Sequence, residues 1–111
     1  MSERDRVYLR DMLDAAREAL TFAEGQDRSR LESDRKLALA LVMEIAIIGE
    51  AAGRVSREVI NSAPGIPWPK MVSMRNRLIH RYSEINFDVL WDTVTASLPP
   101  LAAELERLLW T

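Results

Sequence analysis

Leu37-Ala38-Leu39-Ala40-Leu41-Val42-Met43-Glu44-Ile45-Ala46-Ile47-Ile48 is an apolar run broken by one charge. Carried on to Val55, its hydrophobic residues fall on nearly every side of a helix. That distribution predicts a central helix covered by several neighbours, with a continuation to Ile60 compatible with the pattern. Glu44 interrupts the run, and it is too short to span a bilayer. Val7, Met12, Leu13, Ala16, Leu20 and Ala23 upstream have helical spacing, and Gly25 suits a helix end. Residues 27–34 are polar and of mixed charge, either a loop or the exposed opening of the next helix.

Downstream, Asn61-Ser62-Ala63-Pro64-Gly65-Ile66-Pro67-Trp68-Pro69 packs three prolines and a glycine into six residues, which no helix continues through. Pro69 is placed to open a new helix reaching about residue 80 or 82. A last helix starts near Phe87 with Asp88 as its cap, Pro99-Pro100 should break or kink it, and residues 101–110 are amphipathic. No glycine-rich phosphate loop, repeat or strand-period run is present. The expectation is one domain over residues 1–111, an all-α antiparallel bundle of four to five helices.

The 111 residues carry a net charge of −2, with 48% hydrophobic and 29% charged residues. Such a balance excludes a general nucleic-acid coat with a broad basic face, but not a local cationic slot. There is no cysteine, hence neither a disulfide framework nor a thiolate zinc site. A single histidine argues against a histidine-rich metal site, so neither metal nor cofactor is expected. Met1-Ser2-Glu3-Arg4-Asp5-Arg6 is charged with no hydrophobic signal core behind it. We expect a soluble cytoplasmic protein without membrane association.

The one histidine lies in Arg75-Asn76-Arg77-Leu78-Ile79-His80-Arg81-Tyr82. Residues 59–83 contain no Asp or Glu, yet hold Lys70, Arg75, Arg77 and Arg81. A side chain that exchanges protons near neutrality, ringed by fixed cations, is what chemistry on a phosphodiester needs. A solvated helix end, its cations matched to the helix dipole, would look similar. On a helical projection Met71, Met74, Leu78, Ile79 and Tyr82 share one arc. Ser73, Asn76, Arg77, His80 and Arg81 share the other.

Arg75 breaks that division, falling within the apolar arc. A guanidinium there must meet a carboxylate or an anionic ligand. Glu44 has no basic neighbour three or four positions away and is the candidate partner, whereas Glu50 has Arg54 at i+4. His80 lies about 140° round a regular helix from Arg75. For the two to grip one group, the helix must unwind near His80 or the cleft must form between two chains. A dimer would also supply the second histidine that acid–base cleavage calls for. Trp68 and Trp91 read as packing anchors.

Arg75-x4-His80-x-Tyr82 resembles the R-x4-6-H signature of the HEPN superfamily, in the form carried by HepT-like toxins. Ile47-Ile48-Gly49-Glu50-Ala51-Ala52, then Ile66-Pro67-Trp68 with Met74-Arg75-Asn76, and Val89-Leu90-Trp91 resemble further segments of that family, in order. The likeness covers about residues 46–91. It implies a metal-independent endoribonuclease, a homodimer with motif helices facing across a cleft, and RNA as substrate. By carry-over, Arg75 and His80 are expected to be catalytic, with Asn76 and Glu50 supporting them, while Glu44 is expected to support them as the candidate partner of Arg75. Arg77, Arg81 and Lys70, the remaining cations of the segment, are expected to bind RNA. The resemblance further implies a type VII toxin–antitoxin pair, in which an MntA-type nucleotidyltransferase antitoxin silences the toxin by transferring AMP to Tyr82. A non-catalytic HEPN module that docks a nucleotidyltransferase is the alternative.

Overall fold

The computed structural model describes residues 1–81 and 84–110, and for His80 and Arg81 the backbone alone. Helix α1 (Glu3–Ala23) starts where the Ser2 side chain accepts from the Asp5 backbone N–H at 3.0 Å. The chain then turns at Gly25, whose φ of +74° suits the missing side chain. A single short turn, α2 (Arg30–Ser33), opens the polar stretch. Asp34 caps α3 (Arg35–Ala52) by accepting from the Leu37 N–H.

The apolar pattern does not carry α3 on to Ile60. Ser56 caps a separate helix, α4 (Arg57–Ser62). Asp5 fixes that junction: its buried carboxylate accepts from Ser56 N–H at 2.9 Å and Ser56 Oγ at 2.7 Å, which holds its pKa down. The proline-rich break then leads into α5 (Trp68–Leu78), with Pro69 in its first turn. Trp68 is a packing anchor, buried with Nε1 donating to the Ala63 carbonyl at 3.0 Å.

Helix α5 ends at Leu78, short of the expected residue 80 or 82. Strand β1 (Ile79–Arg81) pairs antiparallel with β2 (Glu84–Ile85), and Asn86 N–H bonds the Leu78 carbonyl at 2.8 Å. A pairing of three residues with two is too short to announce itself by alternation. Asn86, rather than Asp88, caps α6 (Phe87–Asp92) by accepting from Val89 N–H.

Pro99-Pro100 does not break the last helix. A π-helical segment, Thr93–Ser97, joins α6 to α7 (Leu98–Trp110), with Leu98 N–H reaching back to the Thr93 carbonyl. Two successive residues without N–H groups cannot continue the α ladder, so the wider turn takes up the register change.

Helix α3 is the centre: α1 and α5 pack along it, and α7 packs on α1. The core includes Leu9, Met12, Leu41, Ile45, Ile48, Met74, Leu78, Leu90 and Leu105. The fold is all-α, with the small β1–β2 pairing as its one extended feature among the described residues. No described helix is long and apolar enough to cross a membrane.

Two contacts decide what surrounds the motif. At the α3–α5 crossing, a Cβ on Gly49 would stand 2.9 Å from the Met71 carbonyl oxygen, so only glycine allows the backbones to meet. Second, α3 is not covered all round. Leu39, Met43 and Ile47, four residues apart, are 48%, 61% and 37% exposed, and Val72 of α5 is 49% exposed. Gly49→Val should therefore push α5 away and cost about 2 kcal/mol or more, read from chemical denaturation. Wild-type stability in that variant would contradict the crossing.

Candidate active site

Arg75 lies on the last full turn of α5 and is exposed, not buried. The reason is where the helix stops. With the end at Leu78, Ile79 leaves the apolar arc. What is buried on α5 is Trp68, Met71, Met74 and Leu78, whose centre lies about 45° from Arg75. The guanidinium stands on the flank of the buried arc, and no carboxylate among the described residues forms an ion pair with it.

The expected Arg75–Glu44 pair is therefore absent. Glu44 is buried on α3, but it faces Glu18 of α1, and its Oε2 has no hydrogen-bond partner. Burial, then the hydrogen bond and like charge of Glu18, push its carboxyl up to about 7. Glu50 does take its local partner: Arg54 Nη2 and Nε donate to Glu50 Oε1 at 2.8 and 3.1 Å.

Arg75 opens onto a trough of about 610 Å3 between α1, α3 and α5. Met43, Ala46, Ile47 and Ala51 make its apolar floor, while Tyr8, Asp11, Glu50, Arg54 and Arg75 stand round it. A second hollow continues it past Gly49, Gly53 and Val72 to Asn76, so Asn76 and Arg75 share one surface. The Tyr8 ring has the Arg4 guanidinium 5.6 Å from its centroid. Arg4 and then Arg54 face its hydroxyl and lower its pKa.

Not all of the expected cations gather there. Lys70 lines a different hollow with Gly65, Pro67, Ser97 and Glu104. Arg77 is exposed about 160° round α5 from Arg75. The backbone of His80 follows α5 directly in β1, so a regular-helix count no longer separates it from Arg75. The His80 and Arg81 side chains, and Tyr82 as a whole, lie outside the described residues. Tyr8 and Asp11 were not anticipated, because α1 is far from the motif in sequence, and Arg54 was read only as the local partner of Glu50. Arg4 and Tyr8 at i, i+4 were the only local hint.

A solvent-facing guanidinium with no ion pair among the described residues, beside an apolar trough, is suited to binding an anion that carries a flat organic group. Comparison with known proteins supplies the class. The family described as ribonuclease HepT-like matches residues 12–108. A Methanocaldococcus jannaschii protein, provisionally named an RNase, is 32% identical over 107 residues, covering 96% of this chain and 98% of the relative. A Thermococcus cleftensis protein named a probable ribonuclease HepT is 32% identical over 108 residues, covering 97% and 98%. No solved structure gives a significant match. The chain belongs to the HepT-like ribonuclease family.

The Glu44 environment sets a pH dependence. The folded chain keeps the Glu44 proton up to about 7, while an unfolded chain loses it near the ordinary glutamate value. Between those limits the folded state binds more protons, so this group's contribution falls as pH rises and levels off above about 7. Glu44→Gln should melt higher than wild type at pH 8, by about 3–10 °C, with the gap closing toward pH 5. A gap independent of pH in thermal melts would contradict the buried-acid assignment.

Proposed function

We propose that this chain is a metal-independent endoribonuclease, the toxin of a type VII toxin–antitoxin pair, acting as a homodimer. The observation that carries the reading is Arg75. The family's motif arginine is presented to solvent beside a trough, with no carboxylate among the described residues to neutralise it. A structural ion-pair arginine would be turned inward against its partner.

In the reaction, the RNA 2′-hydroxyl attacks the adjacent phosphorus, and the bond to the 5′-oxygen of the next nucleotide breaks. One general base takes the 2′-hydroxyl proton and one general acid returns a proton to the leaving oxygen, giving 2′,3′-cyclic phosphate and 5′-hydroxyl ends. Arg75 neutralises the phosphate as charge builds on its non-bridging oxygens. His80 acts as base or acid, and a second copy supplies the complementary imidazole. The exposed Leu39, Met43 and Ile47 on one side of α3 support self-association, since they leave large apolar side chains in water.

Tyr82 follows β1 directly in sequence. Transfer of AMP to it by a nucleotidyltransferase antitoxin would put a phosphate where the substrate phosphate binds, blocking by charge and bulk. Asn76, on the same surface as Arg75, orients the imidazole or the RNA backbone, and Glu50 acts by fixing Arg54.

Purified chain incubated with RNA in EDTA should give cyclic-phosphate ends, and His80→Ala should cleave at least about 100-fold more slowly. Co-expression with the antitoxin should add adenylate mass to wild type and none to Tyr82→Phe. Equal cleavage by His80→Ala would contradict the catalytic assignment. Absence of cleavage alongside tight binding of the nucleotidyltransferase would favour a docking module instead.

A further inference from the structure

The motif accounts for Arg75, but not for Tyr8, Asp11 and Arg54, which line the same trough. Arg54 is held by Glu50 through Nε and Nη2, so neither bond uses Nη1. Its guanidinium faces the Tyr8 hydroxyl across the α1–α3 groove. Glu50 thus offsets the charge of Arg54 and fixes its position. Arg75, on the third wall, is left with its full charge.

The lining divides by chemistry. Asp11 repels a phosphate, so an anionic group must sit toward Arg54 and Arg75. The other end offers an aromatic ring, the aliphatic surfaces of Ile47 and Ala51, and the carboxylate of Asp11 as acceptor for ring N–H groups. A nucleotide matches both ends in a single orientation. The trough volume, about 610 Å3, falls within the range of roughly 300–1,000 Å3 common for small-ligand sites.

We infer that the Tyr8–Arg54 end of the trough binds the RNA nucleotide flanking the scissile linkage, with its base against Tyr8 and its phosphate between Arg54 and Arg75. This rests on the ribonuclease reading and adds two substrate-positioning residues from outside the motif. Tyr8 acts through its ring face and Arg54 through charge, so the two are separable.

The test uses the full chain and a non-cleavable probe, 2′-O-methyl decaadenylate, with a strand of equal length lacking bases for comparison. Tyr8→Ala should weaken decaadenylate binding at least about fivefold and leave the abasic strand unaffected, while Tyr8→Phe should bind like wild type. Arg54→Gln should weaken both strands and make the salt dependence shallower by roughly the share of one phosphate. Binding by Tyr8→Ala and Arg54→Gln within twofold of wild type on both strands would overturn the inference. So would a loss of affinity matched by a loss of self-association in sedimentation, since the trough would then be a subunit seam. Cleavage is scored separately. A wild type that binds the probe as described but cuts no RNA sinks the ribonuclease reading and leaves this site standing. Full cleavage with unchanged KM in both variants does the reverse.

Discussion

The close crossing of α3 and α5 at Gly49 is the constraint on which the site depends. A side chain there would strike the Met71 carbonyl, so the two backbones approach as only glycine permits. That contact sets the height of Arg75 above α3 and brings it to the same trough as Glu50 and Arg54. Because α3 also carries α1, Tyr8 and Asp11 join from the other side. One missing methyl group thus controls the meeting of three helices. Its effect is positional rather than chemical, since Gly49 touches no reacting atom.

Charge is distributed unevenly round that meeting point. Arg54 is held in place by Glu50, whereas Arg75 has no ion pair among the described residues. Exposed i, i+4 pairs contribute little to stability, so the value of Glu50–Arg54 lies in orientation. The buried acid, Glu44, is turned to α1 and Glu18, away from both guanidiniums. Among the described residues, Arg75 is the cation lining the trough that no carboxylate holds. For binding a polyanion, that matters more than the chain's net charge of −2.

Much of this was legible in the residues. Proline and glycine punctuation located α5, and the i, i+4 spacing identified Glu50–Arg54. Four segments in order, from Ile47 to Trp91 with the motif among them, carried the resemblance to the family. What failed shares one cause: positions were read on idealised elements. Extending α5 past Leu78 put Ile79 and Tyr82 into the apolar arc, which made Arg75 look buried and invited Glu44 as its partner. Reading α3 as covered on every side overlooked Leu39, Met43 and Ile47, because apolar character does not say which face lacks a neighbour. The Asp5–Ser56 clamp, the Glu18–Glu44 pair and the approach of Tyr8 to Arg54 join residues more than 20 positions apart. No local pattern encodes such meetings.

The central claim is that Arg75 serves a ligand and not the fold. Arg75→Gln, compared with wild type for thermal unfolding and for binding of a 2′-O-methyl oligoribonucleotide across salt concentrations, tests it most directly. The account predicts melting within about 2 °C of wild type, as for an unpaired surface residue, with binding sharply reduced and its salt dependence shallower. A variant that loses stability but binds the strand as tightly as wild type would contradict it.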